Sequence, residues 1–182
     1  QYNLELQISK NGEDILKWSK NIFYIKPYEK QFLDEWEKNS TILHVTTESV
    51  ENELPQSIEL LNAIGMTKIR ISIMWAWIER NGTYNFSEYD KKLNILNNNG
   101  FEILGVIDTN DSPYNGTDKM IASEDEIAKY ISFVDALSKK FPFIHEYEIG
   151  NELNTRYTGE EGKKAYARLV IEANKVLNAN NK

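Results

Sequence analysis

Apolar and polar residues alternate between residues 2 and 26, which is the pattern of β-strands with one buried face. The alternation is interrupted at Asn11-Gly12, a pair that favours the tight turn of a β-hairpin. An isolated hairpin is marginally stable in water and needs a surface to pack on. We therefore predict that residues 1–27 are the last hairpin of an accessory β-sandwich that begins upstream of this chain, and that the polar residues 28–40 are a linker.

From residue 41 the pattern changes to short apolar runs that alternate with amphipathic segments. The apolar runs predict β-strands at residues 41–46, 68–75, 101–108 and 143–150. The amphipathic segments predict helices at residues 54–64 and 87–100, a helix that starts after residue 123, and a last helix at 160–177. Ser87 with Asp90, and Ser123 with Glu126, have the spacing of capping boxes at two helix starts. Such repetition predicts an α/β fold with parallel strands and crossover helices.

A parallel sheet of this kind belongs either to an open doubly wound fold or to a closed (β/α)8 barrel. A nucleotide-binding open sheet needs a Gly-rich turn after its first strand, and residues 44–54 contain no Gly. A barrel instead carries polar and aromatic residues at several strand ends, and four stand there: His44, Trp75, Asp108 and Glu152. We predict that residues 41–182 are the first four βα units of a TIM barrel, with the nucleotide-binding sheet as the alternative.

Composition and charge restrict the partners of the chain. The hydrophobic content of 41% is that of a folded domain. The net charge of −7 argues against a phosphate-binding surface, so we expect no nucleic-acid partner. The chain has no Cys, its His, Asp and Glu spacings do not suggest a metal site, and no apolar run is long enough to cross a bilayer. We expect neither a cofactor nor a membrane contact, and a neutral partner fits best.

Alternation within the strands predicts which side chains point into the barrel. Glu148 should point inside and Glu152 toward the mouth, while Ile149 faces the covering helices. On the second predicted strand the isoleucines should face the helices, which turns Arg70 inward. An interior Arg needs a partner, because an unpaired buried charge is costly. We expect Arg70 to pair with Glu148, or with a carboxylate from outside this chain.

Two segments also carry a family resemblance. Residues 65–107, followed by "EIGNELN" at 148–154, are similar to the first half of the catalytic barrel of the clan A retaining glycoside hydrolases. The nearest branches are the cellulases, the β-galactosidases and the β-xylosidase/α-iduronidase group. A Trp-x-x-x-Glu, Gly-x-Tyr-x-Phe and Tyr-Asp pattern between Trp75 and Asp90 supports this resemblance. It extends from about His44 to Asn178, and so covers most of the chain.

The resemblance implies hydrolysis of a poly- or oligosaccharide by retaining double displacement. Glu152 would be the general acid/base, and Asn151 would contact the sugar 2-hydroxyl. The mechanism also needs a second carboxylate roughly 5 Å from the first, and the resemblance places that nucleophile at the end of a seventh strand, beyond residue 182. We therefore expect a fragment of a secreted or cell-surface enzyme that does not complete the reaction alone. The alternative is a non-catalytic carbohydrate-binding or scaffold protein on a barrel without the second carboxylate.

The other candidate residues have two interpretations each. Trp75 and Trp77 would stack on sugar rings or belong to the core. His44 would bind substrate or be a hydrogen-bonded interior histidine. Asp108 is assigned to substrate binding, because barrel function gathers at the carboxyl ends of the strands. Three charged residues are expected to orient the site or to form salt bridges, namely Arg70, Glu148 and Glu79.

Overall fold

A computed structural model describes residues 2–10, 13–22, 43–45, 50–109, 111–117 and 119–182. Strand β1 (Tyr2–Lys10) pairs antiparallel with strand β2 (Glu13–Ile22), and the register of the pairing shifts between Ile8 and Ser9. The predicted pairing of these two strands is confirmed. Their turn at residues 11–12 and the predicted linker at 28–40 lie outside the described residues, and the assignment of the hairpin to a β-sandwich stays a prediction.

The remaining elements alternate between strands and helices. In chain order they are β3 (Leu43–Val45), α1 (Val50–Ala63), β4 (Lys68–Met74), α2 (Trp75–Ile78), β5 (Glu79–Arg80), β6 (Thr83–Tyr84), α3 (Ser87–Asn98), β7 (Glu102–Asp108), β8 (Asp111–Ser112), β9 (Gly116–Thr117), α4 (Glu124–Lys140), β10 (Glu146–Ile149), a 3-10 turn (Leu153–Thr155) and α5 (Gly159–Ala179). Pairs β5–β6 and β8–β9 are short antiparallel hairpins in the loops that follow β4 and β7.

The central sheet is parallel, and its strands lie side by side in the order β3, β4, β7, β10. This spatial order is also the order along the chain. A doubly wound sheet reverses its strand order at the crevice where it binds ligands, and no reversal occurs within the described part of this sheet. The topology therefore favours the barrel arrangement over the nucleotide-binding alternative.

The two faces of the sheet follow the predicted alternation. Ile69, Ile71 and Ile73 of β4 are buried against the helices, whereas the residues between them are half-buried on the other face. In β7, Gly105 lies opposite Ile71 and Tyr147, and a Cβ atom at this position would lie only 3.2 Å from the Tyr147 ring. Glycine thus makes room for an aromatic ring on the helix-facing side of the sheet.

Two predicted helix starts were tested by their caps. Before α4, the Ser123 hydroxyl accepts a hydrogen bond from the Glu126 backbone N–H at 3.3 Å, so this cap is confirmed. Helix α3 begins at Ser87, as predicted, but the predicted cap is wrong, because Ser87 is the first helical residue and Phe86 occupies the cap position. Asn85 takes the role instead, and its Oδ1 accepts the Ser87 N–H at 3.0 Å. An Asn placed two residues before a helical N–H can bond it as readily as a Ser can.

The helices cover one side of the sheet and bury an aromatic core. Trp75, Phe133 and Phe141 are fully buried, and each such side chain stabilises the fold by about 1.5–3 kcal/mol through its removal from water. Helix α5 contributes Leu169 and Ala173 from its predicted apolar face. Among the described helices, none is long and apolar enough to cross a membrane.

Candidate active site

Glu152 lies three residues after the end of the parallel strand β10 and is exposed to solvent. Its backbone is left-handed, with φ 50° and ψ 42°. Few residues other than glycine adopt this conformation, which costs on the order of 1–3 kcal/mol and is concentrated at functional sites. The Glu152 carbonyl accepts hydrogen bonds from the Thr155 N–H at 3.1 Å and the Thr155 hydroxyl at 2.8 Å, and these bonds stabilise the turn.

Gly150 makes this turn possible. Its φ is +78°, and a Cβ atom here would lie 2.5 Å from Leu153 Cδ2 and 2.9 Å from Thr109 Oγ1. Only glycine combines that conformation with so close an approach. Gly150 therefore permits the turn by which the chain leaves the strand, and Asn151 and Glu152 follow immediately.

Arg70 contacts both Glu148 and Asn151. Its Nε donates to Glu148 Oε2 at 2.9 Å, and its Nη2 donates to Glu148 Oε1 at 2.7 Å and to Asn151 Oδ1 at 3.0 Å. The predicted pairing of Arg70 with Glu148 is confirmed. Because guanidinium groups only donate, the amide oxygen of Asn151 must face Arg70, and the amide NH₂ is turned toward other acceptors.

Electrostatics link Asp108 to the same group of residues. The hydrogen bond to Glu148, with the negative charges of Glu148 and Asp108, raises the pKa of Arg70, although partial burial works in the opposite direction. Asp108 ends β7 opposite Met74 and is only 5% exposed. Its register places it on the same face of the sheet as Arg70. A second Arg contacts this region, because Arg156 Nη1 donates to the Asn151 carbonyl at 3.3 Å.

The structure separates the two tryptophans. Strand β4 ends one residue before Trp75, which begins the one-turn helix α2 and is 0% exposed. Its ring packs against Tyr130 and Phe133, with centroids 5.3 and 6.1 Å away. Of the two interpretations of Trp75, burial favours the core, because no face of the ring is open to a sugar. Trp77 is 43% exposed, so of the two tryptophans it is the one that solvent, and thus a ligand, can reach.

Glu79 holds two loops together. It is 2% exposed, its Oε2 accepts the Trp75 Nε1–H at 2.6 Å, and its Oε1 accepts the Tyr114 hydroxyl. These neutral donors differ from the cation that the salt-bridge interpretation expected. The hydrogen bond to Glu79 is the main cause that raises the pKa of Tyr114 to about 12. Glu79 thereby joins the loop after β4 to the β8–β9 hairpin.

The remaining candidates are placed only in part. His44 lies opposite Arg70 in the β3–β4 register, and its side chain is outside what the structure describes. No cluster of three or more His, Cys, Asp or Glu suited to a metal occurs in the described part of the chain.

Sequence reasoning missed Tyr114, although its position in a turn directly after a strand end was a usable signal.

The chain is similar to several solved structures. A family 39 glycoside hydrolase from the gut symbiont Bacteroides cellulosilyticus WH2 has a TM-score of 0.73 and 19% identity, and the match covers 99% of this chain and 36% of that chain. A β-glucosidase from Thermotoga maritima in complex with cyclophellitol has a TM-score of 0.56 and 18% identity over 72% of this chain and 36% of that one. A β-galactosidase from the psychrophilic Marinomonas ef1 has a TM-score of 0.57 and 15% identity over 77% of this chain and 27% of that one.

No protein-family model and no curated relative matches the sequence. At the identities of the solved structures, the likeness shows the fold. The parallel sheet and its helices have the fold of part of a TIM-barrel glycoside hydrolase, as the sequence resemblance to clan A predicted. The chain spans about a third of the length of the first of these structures.

Proposed function

We propose that this chain contributes the general acid/base to the active site of a retaining glycoside hydrolase that acts on a poly- or oligosaccharide. The observation that carries the proposal is the arrangement after β10. A solvent-exposed Glu152 directly follows Asn151, whose amide oxygen is held by Arg70. Support also comes from the solved structures of similar fold, which are glycoside hydrolases. Carbohydrate hydrolysis is therefore the chemistry that this site fits best.

Each residue has a definite task in the proposed reaction. Glu152 donates its proton to the glycosidic oxygen as the bond breaks, and then accepts a proton from the water that releases the sugar. Asn151 donates from its amide NH₂ to a sugar hydroxyl and so holds the ring beside Glu152. Its orientation is already fixed by Arg70, so it needs no rearrangement before it binds.

Other parts of the proposed site lie around this centre. Trp77 offers a ring face on which a sugar unit stacks, and the buried Asp108 supplies negative charge at the floor of the site. The nucleophile is a second carboxylate about 5 Å from the acid/base, supplied from outside these 182 residues. The four successive strand-helix units are the first half of the barrel, residues 1–27 belong to an accessory β-sandwich, and the enzyme acts outside the cell or at its surface.

The dependence of the rate on the leaving group of the substrate, measured in the full-length protein, tests this proposal. Glu152→Ala should lower turnover of alkyl or sugar glycosides about 100-fold or more, because their leaving groups need a proton. Aryl glycosides with acidic phenol leaving groups need no proton in the first step, so their kcat/KM, which reports that step, should fall much less. Glu146→Ala is the matched control, since Glu146 is the first residue of β10, at the end opposite Glu152, and pairs with Lys68 at 2.7 Å. Equal losses on both substrate classes would refute the acid/base role.

The non-catalytic alternative gives a different result in the same experiment. A carbohydrate-binding protein would retain oligosaccharides in a binding assay, yet neither the unaltered protein nor Glu152→Ala would turn over any glycoside. Glu146→Ala would then show the same absence of turnover as the unaltered protein and Glu152→Ala.

A further inference from the structure

One peptide group determines how the chain enters the candidate site. It joins Ile149, the last residue of β10, to Gly150, and both of its polar atoms have a partner. The Gly150 N–H donates to the Ile107 carbonyl on the neighbouring strand at 2.9 Å. The Ile149 carbonyl accepts a hydrogen bond from the Tyr166 hydroxyl at 3.0 Å. A residue of helix α5, which follows Glu152 in the sequence, thus contacts the end of strand β10, which precedes it.

Tyr166 is well placed to keep this bond. Its ring packs against Tyr157, with centroids 5.4 Å apart, so the hydroxyl cannot move freely. Burial, and then the negative charge of Glu148, raises the pKa of Tyr166, so the phenol stays protonated and can donate. Tyr157 is anchored in turn, because its hydroxyl accepts the Ile121 N–H at 3.1 Å.

The neighbouring strand ends carry related contacts. On β7, the Tyr130 hydroxyl donates at 2.9 Å to the same Ile107 carbonyl that accepts the Gly150 N–H. On β4, the Tyr89 hydroxyl accepts the Met74 N–H at 2.9 Å. Each of these tyrosines lies on the helix that covers its strand. Within the described sheet, helix-borne hydroxyls thus fix the backbone where several strands end.

Gly150 explains why such an anchor matters at β10. Glycine allows rotation of the adjoining peptide planes far more readily than other residues. A strand that is followed by glycine therefore does not by itself fix the direction in which the chain continues. The bond to Ile107 holds one edge of the peptide plane, and the bond from Tyr166 holds the opposite edge. With only one of them, the plane can rotate about the remaining bond. Such a rotation would displace Asn151 and Glu152 together.

We propose that Tyr166 is a positioning residue for Asn151 and Glu152: it acts through the Ile149–Gly150 peptide and does not touch the substrate. The inference rests on the proposed acid/base function of Glu152. A displacement of about 1 Å in an acid/base group can cost on the order of 100-fold in rate. Loss of one of two anchors should therefore have a smaller but measurable effect on steps that need the proton.

Removal of the hydroxyl alone provides the test. In the protein as its gene encodes it, Tyr166→Phe should lower kcat about tenfold for glycosides with poor leaving groups. For activated aryl glycosides it should change kcat/KM less than about twofold, because kcat/KM reports the first step, which needs no proton with these leaving groups. KM for the glycosides with poor leaving groups should change little, since no substrate contact is removed. Amide hydrogen exchange over Gly150 to Leu153 should become faster in the same variant.

Tyr147→Phe is the matched control. Tyr147 lies on β10 close to the same peptide, and its buried hydroxyl has no hydrogen-bond partner among the described residues. This variant should leave both substrate classes and the exchange rates unchanged. If Tyr166→Phe behaves like Tyr147→Phe, or lowers both substrate classes equally, the positioning role is overturned.

Glu152→Ala, measured in parallel, separates this failure from a failure of the proposed function. If Glu152→Ala discriminates between leaving groups and Tyr166→Phe does not, the acid/base assignment stands and Tyr166 is only structural. If Glu152→Ala does not discriminate, the proposed function is wrong and the positioning role falls with it.

Discussion

Arg70 Nη2 donates to Asn151 Oδ1 at 3.0 Å, although the two residues are 81 positions apart in the sequence and β7 separates their strands in the sheet. The same guanidinium group forms two hydrogen bonds with Glu148. The Arg70 side chain thus extends along one face of the sheet and holds the Glu148 carboxylate and the Asn151 amide at the same time. The side-chain amide of Asn151 is therefore oriented by a residue of the sheet, Arg70.

Replacement of Arg70 by lysine should separate charge from geometry. Lysine keeps the positive charge, yet it lacks the planar fork that reaches Glu148 and Asn151 together. We expect Arg70→Lys to lower turnover about tenfold or more, while the free energy of unfolding falls by only about 1 kcal/mol because Glu148 is partly solvated. Urea unfolding and steady-state kinetics of the same preparation measure the two effects. A fully active Arg70→Lys would show that Asn151 needs no orientation by the guanidinium.

Substitution of Gly150 by alanine should be much more costly than the same change at Gly82. Both glycines have φ near +78°, but a Cβ at Gly82 has no atom within 4 Å, whereas at Gly150 it overlaps Leu153. We expect Gly82→Ala to lower the free energy of unfolding by about 1–2 kcal/mol, from backbone conformation alone. Gly150→Ala should lower it by about 2–4 kcal/mol, because steric overlap is added. Equal losses in denaturant titrations would contradict the crowding at Gly150.

The contact between Tyr114 and Glu79 predicts a pH dependence at high pH. The pKa of Tyr114 is raised from 10.0 to about 12 in the folded chain. Between these values the unfolded phenol is ionised while the folded one keeps its proton, so unfolding releases a proton. The free energy of unfolding should therefore fall as the pH rises from about 10 to about 12. Tyr114→Phe should show a shallower fall in urea titrations over this range, and an unchanged slope would rule out the contact as its cause.

The two tryptophans should respond differently to replacement by alanine. Trp77→Ala should lower the free energy of unfolding by much less than the same change at Trp75, because Trp77 is 43% exposed, and it should raise KM for an oligosaccharide about three- to tenfold through the lost stacking. Trp75→Ala should instead destabilise the fold by about 3–5 kcal/mol, because it empties a packed aromatic site. Thermal unfolding together with steady-state kinetics distinguishes the two. A Trp77→Ala variant with unchanged KM would remove Trp77 from the substrate site.

Local patterns predicted a large part of this fold. A period of two positions sets which side of a strand faces the helices, so the burial of Ile69, Ile71 and Ile73 and the inward direction of Arg70 could be read from the sequence. The pairing of Arg70 with Glu148 followed because an interior cation needs an anion nearby. The cap at Ser123 followed from the spacing of a capping box.

Other features depend on contacts that no local pattern encodes. Trp75 was placed on a strand, but the chain turns into a helix there and the ring is buried against helix α4. The hydroxyl contacts of Tyr114 and Tyr166 join elements that are distant in sequence. The sequence around a tyrosine does not show whether its hydroxyl will find such a partner. Three-dimensional packing decides which of these hydroxyls reaches a strand end.

The product formed by Glu152→Ala in the presence of azide tests the acid/base assignment most directly. In a retaining enzyme without its acid/base, azide attacks the covalent glycosyl-enzyme intermediate from the face that water would use, so two inversions give a product of retained configuration. NMR of the glycosyl azide formed from an activated aryl glycoside reports this configuration. We predict a glycosyl azide with the anomeric configuration of the substrate. An azide of inverted configuration would contradict the account, because it would make Glu152 the nucleophile.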